Sequence, residues 1–274
     1  MPLARAREGA APRGRLVVRR VEEEPERRGE EVVRREERFT VHRDGGRLHV
    51  WCQGSGAFAF DAAAGRIDTA PGAAEPAEWE HRLACVVVPL LLAERGDLAL
   101  HAAAVRTASG AVVLCGVSGA GKSTAAWALA RRGYEVLAED GCVIEAATDP
   151  PRVWPGLAGV RLRDGSGARP VELGGGASPD PVPLRAVVLL QPRGGEEPSL
   201  ERVDPAQAVT ALMPHGVHAL GPSQAAVFRG AAAIARTVPV LRGRVPDDLE
   251  RAGDHAEALL RATASRPEGR ASRA

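Results

Sequence analysis

The segment Gly116-Val-Ser-Gly-Ala-Gly121-Lys122-Ser123-Thr124 decides how this chain of 274 residues folds. It contains the complete pattern G-x-x-x-x-G-K-[ST], in which backbone N–H groups surround a phosphate group, the lysine reaches the phosphate oxygens and the next hydroxyl binds Mg²⁺. The chain has 36 basic residues, and Lys122 is its single lysine. Because the planar fork of arginine does not fit so tight a loop, a lone lysine at this position indicates a phosphate-binding loop, or P-loop. We predict nucleotide contacts at Gly116, Val117, Ser118, Gly119, Ala120, Gly121, Lys122, Ser123 and Thr124.

The residues on either side of the P-loop predict a strand before it and a helix after it. Residues 111–115 form a short apolar run that ends at the first glycine, as a buried parallel strand does. Residues 123–132 are rich in alanine, carry two arginines in the last turn and are followed by Gly133, which is typical of a helix and its end. The N-terminus of that helix adds partial positive charge to the phosphate site. Strand, loop and helix together predict an α/β fold.

Composition argues against several classes of partner. The formal net charge is +1 and aromatic residues make up 3%, so the chain lacks the basic surface and stacking platforms of nucleic-acid-binding proteins. The four cysteines, at positions 52, 85, 115 and 142, form no C-x-x-C pair, which favours buried reduced thiols over a metal site. The N-terminus has no apolar signal segment, and the longest apolar run, 85–93, is short and contains Pro89. We expect a cytoplasmic protein that binds neither nucleic acid nor membrane.

The chain divides into three segments by composition. Residues 1–75 are a charged arm and a small β-rich portion, residues 76–264 are the P-loop domain, and residues 265–274 are a flexible tail. Within the first segment, the mixed arginine and glutamate clusters of 19–38 fit an exposed strand pair, a charged helix or a disordered arm. Residues 39–69 alternate between apolar and polar and predict a small antiparallel sheet.

Further elements follow from periodicity. A helix is predicted over 76–95, with a kink at Pro89. Strands are predicted at 98–105, 112–115, 136–139, 142–146, 185–191 and 238–241, and later helices at 205–213, 223–237 and 247–263. The stretches 164–177 and 192–198 are rich in glycine and proline and predict loops.

Two adjacent acids, Glu139 and Asp140, follow the first strand after the P-loop helix. In a parallel sheet the end of that strand lies beside the P-loop, so one carboxylate can hold Mg²⁺ and the other can face an acceptor hydroxyl. The competing interpretation is a solvated acidic turn. We favour the functional one because of the position after the P-loop unit, and we predict Ser123 and Asp140 as the metal ligands.

His101 lies in an apolar strand that precedes the P-loop strand. A histidine there must be paired or must lie at a site, although a lone histidine in an apolar strand is more often a satisfied core residue. The other six histidines have no comparable context.

The succession of these blocks resembles the HPr serine kinase/phosphorylase family. The blocks are Leu100-His101-Ala-Ala-Ala-Val, then Val-Leu-Cys-Gly-Val-Ser-Gly-Ala-Gly-Lys-Ser-Thr, then Arg-Gly-Tyr-Glu-Val-Leu-Ala-Glu139-Asp140. The resemblance implies a P-loop kinase core of the HPr kinase C-terminal type, related to the phosphoenolpyruvate carboxykinases, with a small β-rich N-terminal portion. It also implies that Lys122 contacts phosphates, that Ser123 ligates Mg²⁺ and that His101 lies next to the site. The acidic pair matches an Asp-Asp of the family, whose first member acts as the base.

The chain departs from the family at three places. Glu139 replaces the first aspartate, Thr124 stands where bifunctional members have glutamate, and the downstream E-x-R-G-x-G segment is not intact, the nearest stretch being 155–163. We therefore expect kinase activity without the reverse phosphorylase reaction. The whole chain is also similar to smaller HPr-kinase-like proteins encoded with ribosomal peptide natural products, including lasso-peptide kinases, in which a serine of the precursor peptide is the acceptor.

Three functions remain open at this stage. The first is an ATP- and Mg²⁺-dependent kinase of a serine hydroxyl on a peptide or small protein, the second a kinase of a small hydroxylated metabolite, and the third a nucleotide-binding regulatory protein without phosphotransfer. The candidate catalytic residues are Glu139, Asp140, His101 and Lys122, with Arg161 or Arg163 as phosphate clamps. Bifunctional members of the family form hexamers, so the resemblance also leaves a homo-oligomer open.

The P-loop interpretation can be tested with Lys122→Ala. Because the ammonium group supplies the charge that meets the phosphates, the variant should lose nucleotide binding or turnover. Binding of a fluorescent ATP analogue and release of phosphate measure the two effects. Wild-type activity in the variant would show that the interpretation is wrong.

Overall fold

The structure, a computed structural model, describes residues 17–26, 30–35, 39–61, 64–70, 72–156, 159–164, 167–172, 180–192, 199–217, 222–244 and 251–264. The tail predicted at 265–274 lies outside these residues. Strands and helices alternate through the second half of the chain, so the fold is of the mixed α/β type.

The N-terminal portion is a six-stranded sheet. Its strands are Val17–Arg20 (β1), Glu30–Arg35 (β2), Phe39–Asp44 (β3), Arg47–Cys52 (β4), Gly56–Asp61 (β5) and Arg66–Ala70 (β6), in the order β1-β6-β5-β4-β3-β2. Strands β2 to β6 form an antiparallel meander, and β1 joins β6 in parallel. The antiparallel sheet predicted over 39–69 is confirmed. Of the three interpretations of 19–38, the described residues agree with strands, but β1 and β2 lie at opposite edges of the sheet and do not pair with each other as predicted.

A helical segment covers one face of this sheet. It consists of Pro76–Arg82 (α1), a π-helical turn at Leu83–Val87 and Val88–Glu94 (α2). Trp79, Leu83 and Leu91 are buried against the apolar side chains of the sheet, among them Phe58 and Phe60. The guanidinium of Arg43 on β3 donates to both carboxylate oxygens of Glu94, at 2.8 and 3.0 Å.

The helix predicted over 76–95 is present, and the π-helical turn stands directly before the predicted kink at Pro89. Proline has no N–H group, so a regular helix would leave the carbonyl of Cys85 without its donor. The helix instead forms a wider, π-helical turn, in which the N–H of Val88 bonds the carbonyl of Leu83, five residues earlier.

The rest of the chain is built on a nine-stranded sheet within the described residues. Its strands are Leu98–Leu100 (β7), Ala102–Thr107 (β8), Gly110–Gly116 (β9), Val136–Ala138 (β10), Cys142–Glu145 (β11), Arg152–Trp154 (β12), Val182–Leu190 (β15), Ser199–Arg202 (β16) and Val240–Arg244 (β17), and a separate hairpin joins Gly159–Asp164 (β13) to Gly167–Glu172 (β14). The order is β10-β8-β9-β15-β12-β11-β7, with β17 beside β15 and β16 beside β17.

Helices pack on both faces of this sheet. They are Lys122–Ala130 (α3), Pro205–Leu212 (α4), Pro222–Thr237 (α5) and Ala252–Ala264 (α6). Alternate residues of β8 face opposite layers: Ala103 and Val105 pack with α3 and α6, whereas Ala102 and Ala104 pack with α4 and α5. The core is therefore a sheet between two helical layers.

Several sequence predictions were wrong in detail. The strand predicted at 98–105 is broken at His101, because β7 pairs with β11 whereas β8 pairs with β9 and β10. The sheet is not wholly parallel, since β8 runs antiparallel to both of its neighbours. The loop predicted at 164–177 overlaps the β13–β14 hairpin, and β12 and β16 were not predicted. Residues 193–198 of the second predicted loop lie outside the described residues.

The remaining boundaries shift by a few residues. Strand β15 begins at 182 rather than 185, and α6 begins at 252 rather than 247, with 245–250 outside the described residues. No helix in the described part of the chain combines the length and the apolar character that crossing a membrane requires.

None of the four cysteines forms a disulfide and all four are buried, as the sequence predicted. Burial raises the pKa of the Cys52 thiol to about 11 and that of Cys115 to about 12. Burial likewise raises the pKa of Cys142. Each of these three groups is therefore a thiol rather than a reactive thiolate at neutral pH.

We expect the folded protein to react very slowly with a disulfide reagent such as DTNB at about pH 8. After denaturation all four thiols should react at the rate of an exposed cysteine. Absorbance of the released thiolate measures both rates. Fast reaction of Cys52, Cys115 or Cys142 in the folded protein would contradict the burial described here.

Candidate functional site

Strand order brings three separate segments to one edge of the central sheet. Strands β9 and β10 both run antiparallel to β8, which lies between them, so both end at the edge where β8 begins. Gly116 ends β9, Glu139 follows β10 and His101 immediately precedes β8. The predicted P-loop, histidine and acidic pair therefore lie close together because an antiparallel strand, β8, separates β9 from β10. We had expected these two strands to be adjacent and parallel.

The loop between β9 and α3 has the backbone that its glycines permit. Gly119 has a φ of 85° and Gly121 a φ of 98°, values that side-chain-bearing residues rarely adopt. At Gly116 a Cβ atom would lie 2.9 Å from both the carbonyl oxygen of Leu190 and the Cβ of Ala120. Gly121 caps α3 without a side-chain hydrogen bond, so the first N–H groups of the helix have no capping side chain. Such a helix end attracts anions.

Lys122 folds back onto this loop. Its Nζ donates to the carbonyl oxygens of Gly116 at 2.7 Å and of Val117 at 3.4 Å, and the residue is 8% exposed. Burial lowers the pKa of Lys122, while Asp140, Cys115 and Glu139 act in the opposite direction. The loop carbonyls thus hold the ammonium group, and the acidic turn favours its charged form.

Ser123 and Glu139 form the innermost pair of the site. The Ser123 hydroxyl donates to Oε1 of Glu139 at 2.5 Å. Glu139 is 4% exposed, and its Oε2 is buried with no hydrogen-bond partner among the described residues. Burial raises the pKa of Glu139, and the hydrogen bond from Ser123 opposes that shift.

This pair fits a Mg²⁺ ion. An unpartnered buried carboxylate oxygen is costly, and a cation would satisfy it. Mg²⁺ prefers oxygen ligands and is usually held by one or two protein groups, with phosphates and water completing its shell. No cluster of three or more histidine, cysteine or acidic residues able to hold a metal occurs in the part of the chain that the structure describes. The donors present thus suit a metal that arrives with a phosphate group.

Asp140 lies beside two histidines. Its Oδ1 is 2.9 Å from Nδ1 of His101, and its Oδ2 is 3.5 Å from Nε2 of His81. Burial acts to raise the pKa of Asp140, but the hydrogen bonds from His101 and His81 outweigh it and hold that pKa well below its usual range. Its φ of 65° lies in the left-handed region, which aspartate tolerates better than most residues.

The two neighbouring acids therefore have different environments. The side chains of Asp140 and His101 are 36% and 44% exposed, in contrast to the buried Glu139. Because a carboxylate only accepts hydrogen bonds, Nδ1 of His101 is the donor to Asp140. These findings exclude a satisfied core position for His101 and a solvated turn for Glu139.

Two further histidines, His81 and His215, belong to this neighbourhood, and no sequence motif marks either of them. His81 lies on α1, far from the motif in sequence. His215 ends a short 3-10 turn, and its carbonyl accepts the N–H of His101 at 2.7 Å. Burial lowers the pKa of His215, and the charges of Lys122 and His101 act in the same direction.

Other predicted site residues lie where the loop places them. Val117 and Ser118 are exposed at its tip, Ala120 is buried, and Thr124 lies in the first turn of α3. The acid in contact with Ser123 is Glu139, whereas Asp140, which we predicted as a metal ligand with Ser123, bonds the histidines instead. The predicted phosphate clamps Arg161 and Arg163 lie on β13, and their side chains are outside the described part of the structure.

Comparisons with known proteins find similarity among solved structures. No protein-family model and no curated protein matches the chain. Among solved structures, the chain is similar to the Hpr(Ser) kinase/phosphatase from Coxiella burnetii, with a match probability of 1.00, a TM-score of 0.38 and 14% sequence identity, over 61% of this chain and 95% of that chain. With a TM-score of 0.38, nothing about the activity of this chain follows from the match.

The role of Glu139 can be tested with Glu139→Gln, which keeps the shape of the side chain but removes its charge. We expect the Mg²⁺ concentration required for half-maximal binding of ATP to rise about tenfold, because the amide is a poorer cation ligand. Titration of a fluorescent ATP analogue at increasing Mg²⁺ measures the effect.

Glu135→Gln provides the matched control for this experiment. Glu135 precedes β10 and pairs with Arg106, away from the loop. Its substitution should leave the Mg²⁺ dependence unchanged. An unchanged Mg²⁺ dependence in Glu139→Gln would count against the proposed cation position.

Proposed function

We propose that this protein is an ATP- and Mg²⁺-dependent kinase that transfers the γ-phosphoryl group to a serine hydroxyl of a peptide or small protein. The observation that carries the proposal is the difference in environment between two adjacent acids. Glu139 is buried and bonded to Ser123 at the start of α3, whereas Asp140 is partly exposed and bonded to His101. Phosphoryl transfer requires a charged cradle for the phosphates and, opposite it, a group that orients the acceptor.

The nucleotide side of the site consists of the loop, the start of α3 and Lys122. The uncapped N–H groups of α3 and the ammonium of Lys122 supply the positive charge that triphosphate oxygens need. Lys122 bonds loop carbonyls at 2.7 and 3.4 Å, and phosphate oxygens are the stronger acceptors for it. Binding of ATP would therefore exchange weaker hydrogen bonds of Lys122 for charge-assisted ones.

Ser123 and Glu139 are the residues that would hold Mg²⁺. When bound there, the metal would neutralise charge on the phosphate oxygens. Ser123 would contribute its hydroxyl oxygen, and Glu139 would contribute Oε2, which has no hydrogen-bond partner among the described residues.

The acceptor side consists of Asp140 and His101. The serine oxygen forms a bond to the γ-phosphorus as the bond to the β-phosphate oxygen breaks, and the hydroxyl proton passes to the Asp140–His101 pair. A carboxylate with a depressed pKa is a weak base, but the loose transition state of phosphoryl transfer asks mainly for orientation of the hydroxyl. His101 holds Asp140 in place by donating from Nδ1 to Oδ1 of the carboxylate.

The exposure of Asp140 and His101 favours a large acceptor over a small metabolite. Asp140 and His101 retain 36% and 44% exposure, so a serine on a peptide chain can reach them from solvent. A kinase of a small metabolite encloses its acceptor more fully. The resemblance of the three sequence blocks to serine kinases points in the same direction.

The proposal is tested by transfer of label from γ-³²P-ATP with Mg²⁺ to serine-containing peptides and to small proteins encoded beside this gene. Asp140→Asn serves as the control, because asparagine tolerates the positive φ and the fold should be spared. We expect label in a peptide serine, and a loss of about 10²- to 10⁴-fold in the variant.

The outcomes separate the open functions. Label in a small hydroxylated metabolite instead of a peptide would replace the acceptor that we propose. Tight ATP binding without transfer to any acceptor would overturn the kinase proposal in favour of a nucleotide-binding regulator.

A further inference from the structure

The acidic turn at residues 139–141 packs against the helical segment that covers the N-terminal sheet. The Sγ of Cys85, in the π-helical turn, donates to the carbonyl oxygen of Glu139 at 3.4 Å. A Cβ atom at Gly141 would lie 2.5 Å from the carbonyl oxygen of Cys85 and 2.8 Å from Cγ of Pro89. The turn and the π-helical segment are therefore packed backbone to backbone, and only glycine fits at 141.

His81 connects the same helical segment to the side chain of Asp140. Its Nε2 lies 3.5 Å from Oδ2 of Asp140, and its Nδ1 lies 3.6 Å from Sγ of Cys85. The imidazole is 11% exposed, so these contacts are shielded from water. His101 holds Oδ1 and His81 holds Oδ2, so each carboxylate oxygen of Asp140 has its own histidine.

Two residues before His81, helix α1 is anchored to the N-terminal sheet. The ring of Trp79 stacks on Phe58 with centroids 6.2 Å apart, and its Nε1 donates to Oγ1 of Thr69 at 3.4 Å. The guanidinium of Arg20 lies 4.8 Å from the centre of the Trp79 ring on another side. The rotation of α1, and hence the direction of His81, is fixed by strands β1, β5 and β6.

We propose that His81 is a positioning residue that holds Asp140 for phosphoryl transfer and makes the N-terminal sheet part of the catalytic machinery. The inference rests on the proposed function. A residue with a positive φ stays in that conformation only where its surroundings hold it, and His81, Cys85 and Gly141 provide that support on the side away from the loop. Small displacements of an orienting group reduce turnover strongly without weakening nucleotide binding.

The test compares His81→Leu, His81→Gln and, as the matched control, His42→Leu on β3. We expect His81→Leu to lower kcat about tenfold, with an acceptor peptide found by the labelling experiment or with water as acceptor, while the dissociation constant of a fluorescent ATP analogue stays within about twofold. His81→Gln should recover most of kcat, because its amide nitrogen can donate to Asp140 as Nε2 does. His42→Leu should match the wild type.

Hydrogen exchange of the acidic turn supplies a readout that does not depend on turnover. The N–H of Gly141 bonds the carbonyl of Glu139 at 2.8 Å, so exchange of a peptide spanning 137–143 reports on the turn. We expect faster exchange there in His81→Leu, near wild-type exchange in His81→Gln and His42→Leu, and no change in β9. Wild-type kcat in His81→Leu would overturn the inference, as would equal losses of kcat in the leucine and glutamine variants.

The two measurements also separate this inference from the proposed function. If the wild-type protein transfers phosphate neither to peptides nor to water, the proposed function fails, and the positioning role in catalysis fails with it. Exchange then still decides whether His81 holds the turn. If the wild type turns over and exchange in His81→Leu is unchanged, the inference alone fails.

Discussion

The antiparallel position of β8 between β9 and β10 is the constraint on which the site depends. Because β9 and β10 both run antiparallel to β8, they run in the same direction as each other. The glycine-rich loop after β9 and the acidic turn after β10 therefore leave the sheet at the same edge. The break at His101 follows from the same arrangement, because the chain must leave the β7–β11 pairing before it can enter β8. Hydrogen bonds of the sheet thus fix the positions from which Lys122, His101 and Glu139 extend.

Burial then makes two adjacent acids chemically different. Glu139 points inward to Ser123, where desolvation raises its pKa, whereas Asp140 meets two histidines that lower its own. For the side chains of Glu139 and Asp140 to meet such different partners, the backbone must depart from the regular strand conformation. The positive φ of Asp140 and the glycine at 141 allow this departure. The positive φ lies at the point where one acid turns to Ser123 and the other turns to the two histidines.

The N-terminal sheet is connected to Asp140 indirectly, through helix α1. Phe58 and Thr69 fix Trp79, and His81, two residues further along α1, contacts Asp140. The π-helical turn before Pro89 places Cys85 against Glu139 and Gly141. A charged and β-rich segment that carries none of the motif residues is thereby connected to the group that we assign to the acceptor.

The sequence by itself determined the strand, the glycine-rich loop and the helix after it, because these depend on neighbouring residues and on backbone angles that glycine permits. It also determined the small N-terminal sheet and the buried thiols, since both follow from local alternation and composition. Only the tertiary structure decided which acid meets Ser123, 16 residues away, and that Cys85 meets the Glu139 carbonyl across 54 residues. Contacts at such separations depend on strand order and on the rotation of α1, and short-range patterns do not encode either. The direction of β8 and the contact of His81 with Asp140 are therefore properties of the tertiary structure alone.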